Sequence, residues 1–290
     1  MAELTGVGLW SPGLRDGDLG EVRERAAELQ ALGYTALWMP GGAGGPILER
    51  AQLLIDATTT IHVATGILNI WAHTPREVAA GHAGIGLSAH GRFLLGLGVS
   101  HAPMVDREQP GRYRRPLSKM RAYLDELDDQ PAPVPPSERV LAALGPKMLD
   151  LARERAAGAH PYFVPVAHTR FARERLGPGP LLAPEQGVVL ETDPARARAI
   201  AREHVARYLQ LPNYTNNLLR HGLTEDDLRD GGSDRLLDAI VVTGDVDAVA
   251  ERVRAHREAG ADHVCLQVLG AGLLPRAEWR RLAEGLELAD

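Results

Sequence analysis

The chain has 290 residues, 44% of them apolar and 24% charged, which excludes disorder of the whole chain and supplies material for a large core. Its formal net charge is −6 with acids and bases interspersed, and no basic stripe marks a surface for nucleic acid. The single cysteine, Cys265, excludes an intrachain disulfide and a multi-cysteine metal site; its apolar setting (HVCLQVL) reads as a small buried hydrophobe.

Short β-type runs alternate with amphipathic helical patterns from end to end. The first strand is predicted at Val7–Trp10, followed by a helix with one apolar stripe (Leu19, Val22, Ala26, Leu29, Leu32) that stops at Gly33. Strand two, Ala36–Met39, ends at Pro40 and a glycine-rich loop; a helix at Pro46–Thr58 leads to strand three, Ile61–Ile70. Thr74-Pro75 opens the next helix, and strand four follows at Phe93–Val99. After a helix through Leu117 and Leu127, the proline-rich run Gln130–Glu138 forbids regular structure and reads as a surface connection.

Strands five to eight are predicted at Val140–Leu144, His160–Val164, within Leu181–Leu190, and at Asp262–Leu269, each followed by a helical pattern. A polar segment rich in Asn, Asp and Gly, Pro212–Ser233, reads as an insertion. Eight strands each followed by a helix predict a single (β/α)₈ barrel spanning 1–290. An open doubly wound sheet is less consistent, because no G-x-G-x-x-G opens the first helix. The N-terminus lacks a signal-peptide pattern and no run approaches the ~20 apolar residues of a spanning helix, so a cytoplasmic protein without a membrane partner is expected. Only two of the 32 basic residues are lysines, Lys119 and Lys147, and the Ala, Arg, Gly and Pro content suits a GC-rich bacterial source.

In such a barrel the chemistry uses loops at the C-terminal ends of the strands. The loop after strand two, Pro40-Gly41-Gly42, holds no acid, base or nucleophile. Strand three carries Gly66, a mark of a bulge or a closely approaching ligand, and then Asn69, Trp71 and His73. Strand four ends with Gly96, Gly98, Ser100 and His101, where a ligand would lie. Strand five runs into Leu144-Gly145-Pro146-Lys147, a turn whose free amides, helix dipole and lysine favour a phosphate, although an ordinary strand-to-helix turn looks the same. His160 and Tyr162 follow strand six, lining the mouth or packing on its rim. The histidines are scattered without metal-ligand spacing, so no metal is expected.

The segments VATGILNIWAHTPREVA, GRFLLGLGVSHAP, RPLSKMRAYLDEL, RVLAALGPKMLDLARERAAGAHPYFV, GPLLAPEQGVVLETDPARARA, LPNYTNN and GDVDAVAERVRAHREAGADHVCLQVL resemble the luciferase-like oxidoreductase superfamily. The resemblance is to its deazaflavin branch, which uses coenzyme F420, and to an actinobacterial group of unassigned substrate. It implies that Gly66-Ile67 forms a bulge, often with a non-proline cis peptide, behind the deazaflavin ring, with Asn69 near the ring edge. It implies that Ser100 and His101 lie beside the ribityl chain or substrate, and that Leu144, Gly145, Pro146 and Lys147 take the phosphate.

The activity implied is hydride transfer between F420 and a small organic substrate, with Trp71, His73, His101 and Tyr162 on the substrate side. His73 and His101 are the candidate catalytic groups, and the partner implied is a second copy in a homodimer. Many relatives place an acid or histidine just after strand two; this chain has Pro40-Gly41-Gly42 there, which leaves the proton donor unassigned. An FMN-dependent monooxygenase and a cofactor-binding barrel without turnover are the alternative readings.

Overall fold

The computed structural model describes residues 4–42 and 44–289. Eleven strands run parallel: β1 Gly6–Trp10, β2 Ala36–Met39, β3 His62–Thr65, β4 Leu68–Asn69, β5 Phe93–Gly98, β6 Arg139–Leu141, β7 Gly158–Ala159, β8 Leu181–Leu182, β9 Glu185–Val189, β10 Val241–Thr243 and β11 His263–Val268. The pairing order is β10-β9-β11-β1-β2-β3-β5-β6-β7-β8, with β4 against β5. β8 and β9 are two halves of one run interrupted at Ala183-Pro184, and that run closes the ring. Its amides at Leu181, Ala183 and Glu185 bond to Ala157, Ala159 and Pro161 on one side, while Leu182 and Pro184 accept from Asp262 and Cys265 on the other. The result is an α/β barrel with helices outside.

Alternation along the strands divides the core. Trp10, Trp38, Ala64, Leu94, Val140 and Cys265 fill the inside of the ring. Leu9, Leu37, Val63, Leu95, Leu141 and Leu266 point outward and pack under the helices. Trp38 is fully buried; it stacks on His160 at 4.2 Å and donates to His263 Nε2 at 3.1 Å. Such a ring contributes about 4–6 kcal/mol of apolar burial before its entropic cost is counted.

All eight predicted strands occur, with three adjustments. Strand five stops at Leu141, and strand six comes two residues earlier than expected, at Gly158–Ala159. Its predicted residues, His160–Val164, instead form the connection above it, where Pro161 supplies no ladder donor and Phe163 has φ 57°. Strand three is broken between Thr65 and Leu68. Val63 pairs with Phe93 but Leu68 with Leu97, so one residue of β3–β4 has no counterpart on β5, which defines a bulge. The Thr65 hydroxyl repairs this gap, donating to Gly96 O and accepting from Gly96 N–H, both at 2.8 Å.

The segment after the helix Pro194–Tyr208 is ordered. It forms a helix at Pro212–Arg220, a short turn at Asp226–Leu228 and a helix at Asp234–Ile240, and then delivers β10, a strand not foreseen from the sequence. A second core holds it, in which Tyr214, Leu218, Leu236 and Leu237 pack on Val189, Ala197, Ala201 and Val205. The Asp227 carboxylate gathers the intervening loop, accepting from Thr224, Ser233 and Arg235. No helix among the described residues is long and apolar enough to cross a membrane.

Replacing Thr65 with valine keeps its shape and strands two buried backbone groups of Gly96. A loss of about 2–3 kcal/mol in urea unfolding is expected. An unchanged midpoint would show that the hydroxyl does not carry the gap.

Candidate functional site

A cavity of about 680 Å³ opens at the C-terminal ends of the strands. Its wall includes every residue that the sequence assigned to a cofactor: Gly66, Ile67, Asn69, Ser100, His101, Leu144, Gly145, Pro146 and Lys147. Tyr162 also lines it. Trp71 and His73 do not. The Trp71 indole donates to Val99 O at 2.8 Å and its ring lies behind the wall beside Arg112 and Lys119. His73 sits at the entrance to the helix Pro75–Ala89, near Glu77 and Arg15, and burial holds its imidazole below the usual range.

The bulge forms one side of the cavity, and a non-proline cis peptide links Gly66 to Ile67. Each carbonyl of the pair is claimed by a different strand. The Trp10 indole donates to Gly66 O at 2.9 Å, and the Gly41 amide donates to Ile67 O at 3.0 Å. Gly66 N–H in turn donates to Met39 O.

The space for this arrangement comes from glycines. A Cβ on Gly41 would stand 2.2 Å from Ile67 O; on Gly66, 2.7 Å from Trp10 Nε1 and 2.8 Å from His160 Nε2. A Cβ on Gly98 would strike the Ile67 side chain at 2.5 Å. The Gly96 and Gly98 pair therefore makes room for the bulge itself, and the bare loop after β2 is one of its supports. Asn69 Oδ1 accepts from Trp71 N–H, which leaves its amide nitrogen as the group available to a ligand.

At the other side stands the turn before the helix Pro146–Arg155. Gly145 precedes the first helical residue without a side-chain cap, and open space lies in front of its Cα. Unclaimed amides of a helix's first turn and its dipole favour an anion there. His168 Nε2 donates to Leu144 O at 2.9 Å and holds the turn in place. Lys147 and Arg220 bring positive charge to the wall, and no carboxylate lines it among the described residues.

The remaining wall is aromatic. Tyr208, at the end of the helix Pro194–Tyr208, and Tyr214, on the helix Pro212–Arg220, join Trp10 and Tyr162. Asn213 Nδ2 reaches Ser100 O and Tyr113 Oη at 3.4 and 3.3 Å, so the segments that follow β5 and β9 meet over the mouth. Ser100 takes φ 54°. The His101 ring lies 4.8 Å from that of Tyr214, and burial lowers its imidazole to about 4. His160 donates from Nδ1 to Ala183 O and is lowered to about 4 as well, so both rings are neutral at physiological pH.

Below the aromatic wall lies Glu185, fully inside the barrel, accepting from Phe163 N–H at 3.1 Å. Burial pushes its carboxyl up to about 8. Tyr208, Tyr214, Asn213 and Arg220 carry no isolated sequence signature. The amide- and tyrosine-bearing stretch LPNYTNN was the available sign.

Gly41→Ala drives a methyl group into the Ile67 carbonyl and is expected to cost about 1–3 kcal/mol in urea unfolding; a neutral effect would show that the loop after β2 is free to move away. Glu185 gives a pH dependence. In the folded chain it keeps its proton to about pH 8, and in the unfolded chain it releases it near 4.5. The stability it adds is therefore complete below pH 4.5 and is lost as the pH rises through 8. Between pH 5.5 and 7 the parent should lose about 1.4 kcal/mol per pH unit relative to Glu185→Gln, and the loss should level off past pH 8; parallel stability curves would contradict this.

Residues 4–129 match the family model of the luciferase-like monooxygenases. No curated protein matches the chain by sequence. Among solved structures, an F420-dependent secondary alcohol dehydrogenase in complex with an F420-acetone adduct is similar at TM-score 0.71 and 13% identity, over 99% of this chain and 99% of that one. The coenzyme F420-dependent tetrahydromethanopterin reductase from Methanopyrus kandleri gives 0.66 and 15%, over 99% and 97%. A type II Baeyer-Villiger monooxygenase in complex with FMN, the oxygenating constituent of 3,6-diketocamphane monooxygenase from Pseudomonas putida, gives 0.67 and 16%, over 97% and 96%. The family match thus covers residues 4–129, and the fold is shared with these structures over nearly the whole chain.

Proposed function

We propose that this protein is an F420-dependent oxidoreductase that transfers a hydride between the deazaflavin and a small organic substrate. The observation that carries this reading is that the Gly66-Ile67 bulge and the Leu144–Lys147 turn border one cavity, with no carboxylate on its described wall. A planar ring needs a fixed, close-approaching backbone, and a phosphate needs free amides and a cation. The bulge and the turn suit those two needs.

The bound deazaflavin would supply a carbon that accepts or delivers the hydride. The chain's own residues supply the rest. Trp10 and Gly41 hold the bulge against the ring position, and Asn69 offers an amide nitrogen at its edge. Leu144, Gly145 and Lys147 hold the phosphate, with His168 fixing the turn. His101 is the candidate to hold or move a proton at the substrate, because it is neutral and lines the cavity. Trp71 and His73 have no direct part in this reading, because both lie outside the cavity. Homodimer formation through the barrel helices belongs to the same proposal.

The turn would equally take the phosphate of FMN, and the similar structure in complex with FMN favours a second reading as a flavin-dependent monooxygenase. Fluorescence titration with F420 and FMN separates them. Tighter binding of F420 is expected; tighter binding of FMN would favour the second reading, and binding of neither would leave a barrel without turnover. Lys147→Gln should weaken either phosphorylated cofactor by about tenfold and leave riboflavin unaffected, as expected for loss of one charge-assisted contact.

A further inference from the structure

Tyr162, Tyr208 and Gln267 form a hydrogen-bonded chain at the aromatic side of the cavity. Tyr162 Oη donates to Gln267 Oε1 at 2.8 Å, and the two tyrosine hydroxyls are 2.7 Å apart. Gln267 lies on β11 and is buried. Both tyrosines line the cavity, whose neighbouring wall is Trp10, at 5.1 Å from the Tyr162 ring, and Tyr214, at 5.4 Å from that of Tyr208.

The direction of this chain follows from counting protons. A phenol has one proton to give and two lone pairs to receive with, whereas an amide oxygen only receives. The Tyr162 proton is therefore committed to Gln267. The contact between the hydroxyls must then carry the proton of Tyr208. Both protons point into the protein, and only oxygen lone pairs remain. Burial raises the Tyr208 hydroxyl to about 12 and that of Tyr162 further, so neither ionises under physiological conditions and the count is stable.

We propose that Tyr208, oriented by Tyr162 and Gln267, presents a hydrogen-bond acceptor to the cavity and so selects a substrate that offers an O–H or N–H on an apolar or aromatic frame. The substrate class is an alcohol, phenol or amine, not its carbonyl or imine counterpart. A carbonyl oxygen at Tyr208 would place lone pair against lone pair. Accommodating it would require both hydroxyls to turn, leaving buried Gln267 Oε1 without its donor. This inference rests on reading the cavity as the place of the substrate, but not on which cofactor fills the other side.

The test uses the whole chain without cofactor and reads the quenching of tryptophan fluorescence by two probes, p-cresol and 4-methylanisole. They share a frame and differ in having a donor hydroxyl or an ether that only accepts. The parent protein should bind p-cresol about tenfold more tightly, the scale of one well-made hydrogen bond. Tyr208→Phe, which keeps the ring packing, should bring the two affinities together. Gln267→Met removes the acceptor that commits both protons, and 4-methylanisole should gain affinity relative to p-cresol. Near-UV circular dichroism confirms that each variant retains its packed aromatic wall.

Equal binding of the two probes by the parent, or no saturable response to either, overturns the proposal. So does an unchanged ratio in Tyr208→Phe. If that variant instead weakens FMN or F420 while the probe ratio stays fixed, the donor belongs to the cofactor ring and the substrate assignment falls. Failure of the cofactor titration alone would leave these probe ratios intact, so the two readings fail separately.

Discussion

The structure turns on the placement of two carbonyl groups, those of Gly66 and Ile67. One is held by an indole from β1 and the other by a backbone amide just after β2. Neither donor works unless its strand is in register with β3. The bulge also deprives β5 of a pairing partner, and the Thr65 hydroxyl takes its place. Three neighbouring strands are thus fitted to a single irregularity. This explains why glycine stands at 41, 66, 96 and 98. At each position a Cβ would come within 3 Å of another group, and at Gly41 and Gly96 that group is a backbone carbonyl.

Electrostatics completes the picture. The interior of the barrel is close to neutral: burial lowers His160 to about 4 and His263 to about 3, and raises Glu185 to about 8. The described cavity wall has Lys147 and Arg220 but no carboxylate. A ligand that brings negative charge therefore meets fixed amides and cations at the turn, and neutral hydrogen-bonding groups elsewhere. In the proposed reaction a proton would be moved by a group that is uncharged at rest, such as His101, because no carboxylate stands on the described wall.

The barrel itself was legible because its signals are local. Period-two and period-3.6 patterns place eight strands with helices between them, and Pro146 after a glycine marks the helix start that borders the cavity. The misplacement of strand six has a local cause too, in Pro161 and a left-handed Phe163. The site was legible mostly where the backbone makes it. Gly66-Ile67, Leu144–Lys147 and Tyr162 were read from the sequence and border the cavity; Tyr208 and Gln267 were not, because they meet Tyr162 across separations of 46 and 105 residues. Trp71 and His73 lie off the cavity for the opposite reason. They are close in sequence to the end of β4, but the chain turns away after Ile70 and the indole is tied to Val99 O.

The two halves of the cavity are built from different materials, and this bears on what each is able to recognise. The bulge and the turn are backbone structures, so they favour groups that many ligands share, a flat ring and a phosphate. The opposite wall is made of side chains, and two of them, Tyr208 and Tyr214, come from the segment after β9. That segment is no loose loop: its own core and the Asp227 clasp fix it. Substitutions on it alter the aromatic wall without removing either donor that holds Gly66 and Ile67; Trp10 is the one residue that serves both sides, its indole on Gly66 O and its ring beside Tyr162. In the proposed reading, cofactor binding and substrate choice would then be largely separable, linked through Trp10. The polarity of the aromatic side follows from a chain of three hydrogen-bonding groups, and the shape of the opposite side from the backbone of the bulge and the turn.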